Sequence, residues 1–129
     1  MIGEEIAKVN RSFVHAARGL RYAINFERNF RIELVMACFV AGLISIFKVK
    51  SWEAIVLILM ITWVLAIELL NTVLERVVDI LKPRIHPYAR LIKDIMAAVV
   101  LISSVAAFVI GLIIFLPYFA ELFASWSGF

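Results

Sequence analysis

Cysteine occurs once, at Cys38. A single thiol inside an apolar run supports neither a disulfide nor a cysteine metal site, so it reads as a small buried hydrophobe. Glycine is also scarce: Gly3, Gly19, Gly42, Gly111 and Gly128 nowhere take the spacing of a Walker loop or a kinase glycine-rich loop. Any nucleotide site must therefore be built from helices. No secretory leader is legible, because the first long apolar run starts only near Leu34, after many charges. Charged residues make up 18% of the 129 and hydrophobic ones 64%, with a mean hydropathy of +1.01. Ordinary soluble domains are nearer to half apolar, so the chain reads as one small all-α integral membrane domain over 1–129 with no nucleic-acid partner.

Four segments follow from the periodicity. Over 4–30, Ile6, Val9, Phe13, Ala17, Leu20 and Ile24 recur at three- or four-residue steps, with Lys8, Arg11, Arg18, Arg21 and Arg28 between them. That pattern predicts an amphipathic helix lying on the membrane surface, its cations facing anionic head groups. A first span is expected over 31–48, its short apolar body flanked by Arg31 and Lys48. A second span is expected over 52–81, starting at the interfacial residue Trp52. Pro83 and Pro87 should break the helix, and a third span should run over 88–117 to Pro117.

Of the 13 Lys and Arg, six precede the first span and five flank the second connection (Arg76, Lys82, Arg84, Arg90 and Lys93). Only Lys48 and Lys50 lie in the first connection, and none follows the third span. The positive-inside rule then puts the N-terminus and the second connection in the cytoplasm.

The stretch Ala66–Asp79 carries acids where lipid-facing residues belong. On a helix wheel Glu75 and Asp79 lie about 20° to either side of Glu68, with Asn71 about 60° away. One polar stripe thus runs down an apolar helix, and burying such groups in a membrane is costly enough to mark a functional site. Glu68 is about 24 Å of helix beyond Trp52, just inside the cytoplasmic boundary of a core about 30 Å thick, and Glu75 lies about 10 Å farther out. Carboxylates suit a hard divalent cation, and Lys93 and the nearby arginines suit phosphates. Read from the residues alone, this is an intramembrane polar site able to handle phosphate. The competing reading is an oligomeric ion or proton conduit lined by Glu68, Asn71 and Glu75; polar groups confined to one end of the span speak against it.

Glu68-Leu69-Leu70-Asn71-Thr72-Val73-Leu74-Glu75, followed by Val77-Val78-Asp79, resembles the prokaryotic diacylglycerol kinase family signature E-x-x-N-[ST]-x-x-E-x-x-x-D; that family includes undecaprenol kinases. Glu27-Arg28-Asn29-Phe30-Arg31-Ile32-Glu33 before the first span and Lys93-Asp94 before the third match as well, so the resemblance extends to about Pro117. It implies a homotrimer in a bacterial-type cytoplasmic membrane that transfers the γ-phosphoryl of MgATP to a lipid alcohol, diacylglycerol or undecaprenol. By position, Glu68 resembles the catalytic base, and Glu27 and Glu75 resemble the Mg²⁺ ligands. Asn71, Lys93 and Asp94 are similar to residues around the nucleotide, Arg84 and His86 to the loop that closes over it, and Lys8, Arg11 and His15 to polar surface-helix positions near nucleotide or lipid.

Beside these stand plainer expectations. Glu33 should pair with Arg31, Thr72 should bond a helix carbonyl, and Trp63 should face lipid. Ser103, Ala107 and Gly111, at four-residue intervals, should let another helix approach closely.

Overall fold

The computed structural model describes residues 2–128, with side chains described for all of these except 2, 82–86 and 127. Three helices follow one another: α1 (Ile2–Phe26), α2 (Arg28–Phe47) and α3 (Ser51–Ser127). By length and composition three segments can cross a membrane: Arg28–Phe47, Ser51–Leu81 and Pro87–Trp126. Every described residue outside the short junctions at Glu27, 48–50 and Gly128 is helical. Away from the helix ends each backbone donor and acceptor is then paired within its own segment, as a hydrocarbon environment demands.

The two apolar segments of α3 are limbs of a hairpin. Residues 40 apart in a straight helix would be about 60 Å apart, yet Trp63 Nε1 donates to Ser103 Oγ at 3.3 Å. Lys93 Nζ meets Asp79 Oδ1 at 2.7 Å, and the Tyr118 hydroxyl donates to Glu53 Oε2 at 2.5 Å. The chain therefore reverses between Leu81 and Pro87. The reversal falls where the prolines put it, between the two apolar limbs Ser51–Leu81 and Pro87–Trp126. Pro87 opens the second limb, and a first-turn position costs proline no hydrogen bond.

Other boundaries differ from the sequence expectation. The surface segment and first span meet at Glu27, not near residue 30, because Glu27 leaves the helical region (φ −103°, ψ 111°) and ends α1 at Phe26. The second limb does not stop at Pro117 but continues to Ser127. A proline removes one hydrogen bond from a helix, and here the apolar turns on either side keep the rest. Lys48 closes α2 in the left-handed region (φ 47°), a place where glycine is more usual.

Few side chains are covered within the single chain. One apolar cluster, Leu57 with Ile114 and Phe115, is packed by Val40, Leu43 and Phe47 of α2. It holds α2 against both limbs at the end of the hairpin opposite the reversal. Elsewhere the buried positions include Glu53, Glu68, Asn71, Thr72 and Ser103, while Val35, Ile58, Leu101 and Phe108 stand exposed. Polar groups turned inward and apolar ones outward is the distribution a lipid solvent selects. Cys38, expected to be buried, lies on the outer face of α2; as an apolar side chain it loses nothing by facing hydrocarbon.

Candidate active site

The first limb of α3 carries Glu68, Asn71, Thr72 and Glu75 at three- and four-residue steps, and the helix repeat stacks them on one face. Glu68 is 2% exposed, and its Oε2 has no hydrogen-bond partner among the described residues. Thr72 Oγ1 donates to the Glu68 carbonyl at 3.1 Å, the expected use of a threonine in an apolar helix. Asn71 Nδ2 reaches Glu75 Oε1 at 3.5 Å, a long contact between adjacent members of the stripe one turn apart. Glu75 is half-buried and feels the Glu68 carboxylate electrostatically, as does Glu27 from the α1–α2 junction.

Glu27 finds the partner its basic neighbourhood called for: Arg76 Nη2 donates to its Oε1 at 2.8 Å. The Arg76 guanidinium also lies over the Tyr22 ring, 5.8 Å from its centroid. This contact ties the α1–α2 junction to α3 and brings Glu27 toward Glu68 and Glu75. Asp79, at the far end of the stripe, pairs with Lys93 and also bears electrostatically on Arg76.

Glu33 departs from its expected pairing. Arg31 Nη1 donates instead to the Ile24 and Asn25 carbonyls at 3.2 and 2.9 Å, because those acceptors at the end of α1 lack helical partners of their own. Glu33 Oε2 is buried with no hydrogen-bond partner among the described residues, and its carboxylate interacts with Glu68. It stands beside an apolar cavity of about 480 Å³ between α2 and the two limbs of α3, lined by Met36, Leu57, Met60, Ala107 and Phe108 among others. Two carboxylates, one on α2 and one on α3, each with a buried oxygen unsatisfied among the described residues, are the principal anomaly of this end of the molecule. Sequence spacing could not have found Glu33, since nothing within α2 distinguishes it from an acid that pairs locally.

A second cavity, about 630 Å³, lies beside the reversal, lined by Val78, Asp79, Pro87, Ala89, Arg90, Lys93 and Asp94. The sequence-derived pair Lys93–Asp94 falls on its wall, joined by Asp79 and Arg90. Arg84 and His86 are the two sequence candidates whose side chains lie outside the described residues. Lys8, Arg11 and His15 are not brought to the carboxylates within this chain: Lys8 pairs with Glu5 at 2.9 Å, and Arg11 and His15 are exposed along α1. His15 is about 18 Å of helix from Glu27.

Among the described residues no three His, Cys, Asp or Glu side chains form a ready-made metal cage. Glu27 and Glu75 near an unsatisfied Glu68 oxygen instead fit a Mg²⁺ that takes most of its ligands from phosphate and water, the usual habit of that ion. Trp63 is exposed, as expected of a lipid-facing ring, but its indole N–H is satisfied by Ser103 across the hairpin.

Residues 14–115 match the family model described as prokaryotic diacylglycerol kinase. An undecaprenol kinase of Bacillus subtilis (strain 168) is 36% identical over 115 residues, covering 88% of this chain and 92% of the relative. A diacylglycerol kinase of Synechocystis sp. (strain ATCC 27184 / PCC 6803 / Kazusa) is 36% identical over 107 residues, 82% of this chain and 61% of that relative. With three apolar spans and these matches over most of its length, the chain belongs to the prokaryotic diacylglycerol kinase family.

Proposed function

We propose that the protein transfers the γ-phosphoryl group of MgATP to the hydroxyl of a membrane lipid alcohol, diacylglycerol or undecaprenol, with Glu68 as general base. The observation that carries this reading is the buried Glu68 carboxylate on an apolar span, with an oxygen unsatisfied among the described residues and an electrostatic neighbour, Glu33, on the wall of the apolar cavity. A lipid alcohol reaches such a carboxylate from the hydrocarbon side, and a triphosphate reaches Glu75, Lys93 and Asp94 from water. The names of the two relatives supply both acceptor alternatives.

The chain's own residues divide the work. Glu68 accepts the hydroxyl proton as the alcohol oxygen attacks the γ-phosphorus, while the bond from that phosphorus to the β–γ bridging oxygen breaks and ADP departs. Glu27 and Glu75 hold Mg²⁺, which when bound offsets charge on the phosphate oxygens. Lys93 and Asp94 orient the nucleotide, Asn71 keeps Glu75 in register, and Arg84, His86, Lys8, Arg11 and His15 complete the nucleotide and lipid contacts. Lys93 enters this role by exchanging Asp79 for phosphate. Bringing a membrane-bound hydroxyl in line with a water-borne phosphate is most of the catalytic task.

The assembly is a homotrimer in the cytoplasmic membrane, with the N-terminus and active site facing the cytoplasm and α1 lying as an amphipathic helix on the surface. Support comes from the distribution of Lys and Arg and from exposed Ile6, Val9 and Phe13 along α1.

Purified protein incubated with labelled ATP and each lipid alcohol in the same detergent tests the proposal. Label in the lipid, abolished in Glu68→Gln, is expected. Ion flux in liposomes without label transfer would instead favour a conduit lined by Glu68, Asn71 and Glu75.

A further inference from the structure

The cavity beside the reversal holds four charged side chains in two pairs, and the pairs are not equivalent. Lys93 and Asp79 neutralise each other at 2.7 Å. Arg90 and Asp94 are one helical turn apart on the same wall, yet no hydrogen bond or ion pair joins them, and among the described residues Arg90 has no carboxylate partner. Arg90 precedes Lys93 by three residues, so both lie along one stripe of the second limb, with Arg90 about 4.5 Å farther from Glu68. A volume of about 630 Å³ is in the range of sites for small molecules. Its free cation is a guanidinium, whose fixed fork of donors matches two oxygens of adjacent phosphates better than an ammonium does.

We infer that Arg90 binds the diphosphate portion common to ATP and ADP, one turn outward from Lys93, which is left to the transferred phosphoryl group. The assignment rests on the kinase reading above and adds to it a division of labour: Lys93 follows the group that moves, and Arg90 holds the part of the nucleotide that stays. The cavity explains why an unpaired arginine is useful here. An anion entering it meets one cation already available and a second that Asp79 must release.

Equilibrium binding of ADP to purified protein in lipid nanodiscs reads this directly, without lipid turnover. Arg90→Gln is expected to weaken ADP about tenfold, the loss typical of a hydrogen bond to a charged group. Inorganic pyrophosphate should lose its competition with ADP in the same variant, and Arg90→Lys should fall between the two. Arg18→Gln removes one exposed charge of α1 outside the cavity and should leave ADP affinity as it was. The KM for lipid alcohol should not move in Arg90→Gln. Unchanged ADP affinity in Arg90→Gln, or an equal loss in Arg18→Gln, overturns the assignment while the kinase reading stands. Wild-type protein that neither binds ADP nor labels either lipid overturns the kinase reading and the assignment with it.

Discussion

Glu53 and Glu68 lie on the same limb of α3, and both are buried, at 7% and 2% exposure. Their surroundings differ completely. Glu53 Oε2 accepts from the Tyr118 hydroxyl and, at 3.0 Å, from the Lys50 backbone N–H, so one acid closes the first turn of α3 and bonds it to the end of the second limb. It sits beside the aromatic group of Phe47, Phe115, Tyr118 and Phe119. Glu68 has its neighbours' charges in place of their donors: Glu33, Glu75 and Glu27 all bear on it, and its Oε2 is bonded to nothing among the described residues. A satisfied buried carboxylate is a fastener. An unsatisfied one among other acids is a group held in readiness for something the folded chain does not itself contain.

Breaking the contrast at Glu68 has the largest expected effect. Glu68→Gln should reduce lipid phosphorylation by about 10³-fold, in the range for loss of a general base, while retaining ADP binding. Its melting temperature in detergent should not fall, since the change removes charge from an acid cluster. Ordinary turnover in this variant would take the base role away from Glu68. The converse change, Tyr118→Phe, should lower the melting temperature by about 5 °C with activity per folded molecule retained, because a buried carboxylate loses a donor far from the acid cluster. A Tyr118→Phe protein that melts normally but loses turnover would show that the two ends of the hairpin are not separate in function.

Two smaller effects sharpen the comparison. Arg76→Gln releases Glu27, but the pair is half open to solvent, so the melting temperature should shift by no more than about 2 °C. The dependence of activity on Mg²⁺ concentration should change, because Glu27 is then no longer shared with a cation of the chain; an unaltered Mg²⁺ profile would argue against Glu27 as a ligand. Lys48→Gly relieves a left-handed residue at the end of α2 and should raise stability by about 1 kcal/mol, read as a higher melting temperature with kinetics untouched. Unchanged melting there would mean that the Lys48 side chain compensates its own backbone strain.

Much of the site was legible because it is written on one helix. Glu68, Asn71, Thr72 and Glu75 share a face by the helical repeat alone, so their spacing and the apolar stretch around them announced a polar stripe before any coordinates. Lys93 and Asp94 were legible through the family resemblance. Glu33 was not: an acid two residues from an arginine looks paired, and only the fold reveals that Arg31 is spent on the carbonyls ending α1. Arg90 and Asp79 were visible as charges but not as walls of one cavity, since that requires the two limbs to be side by side.

Composition and periodicity thus determined three apolar spans, their helical nature and the polar face of the second, because in hydrocarbon each segment must satisfy its own backbone and any acid it keeps is conspicuous. Tertiary structure alone decided which acids are satisfied and which are not. It joined Glu53 to Tyr118 and Glu27 to Arg76, and it set Glu33 near Glu68 with no donor among the described residues for either orphaned oxygen. Partnership between side chains on different segments depends on how a hairpin closes and where a junction bends, and these are properties of packing that no single helix carries in its sequence.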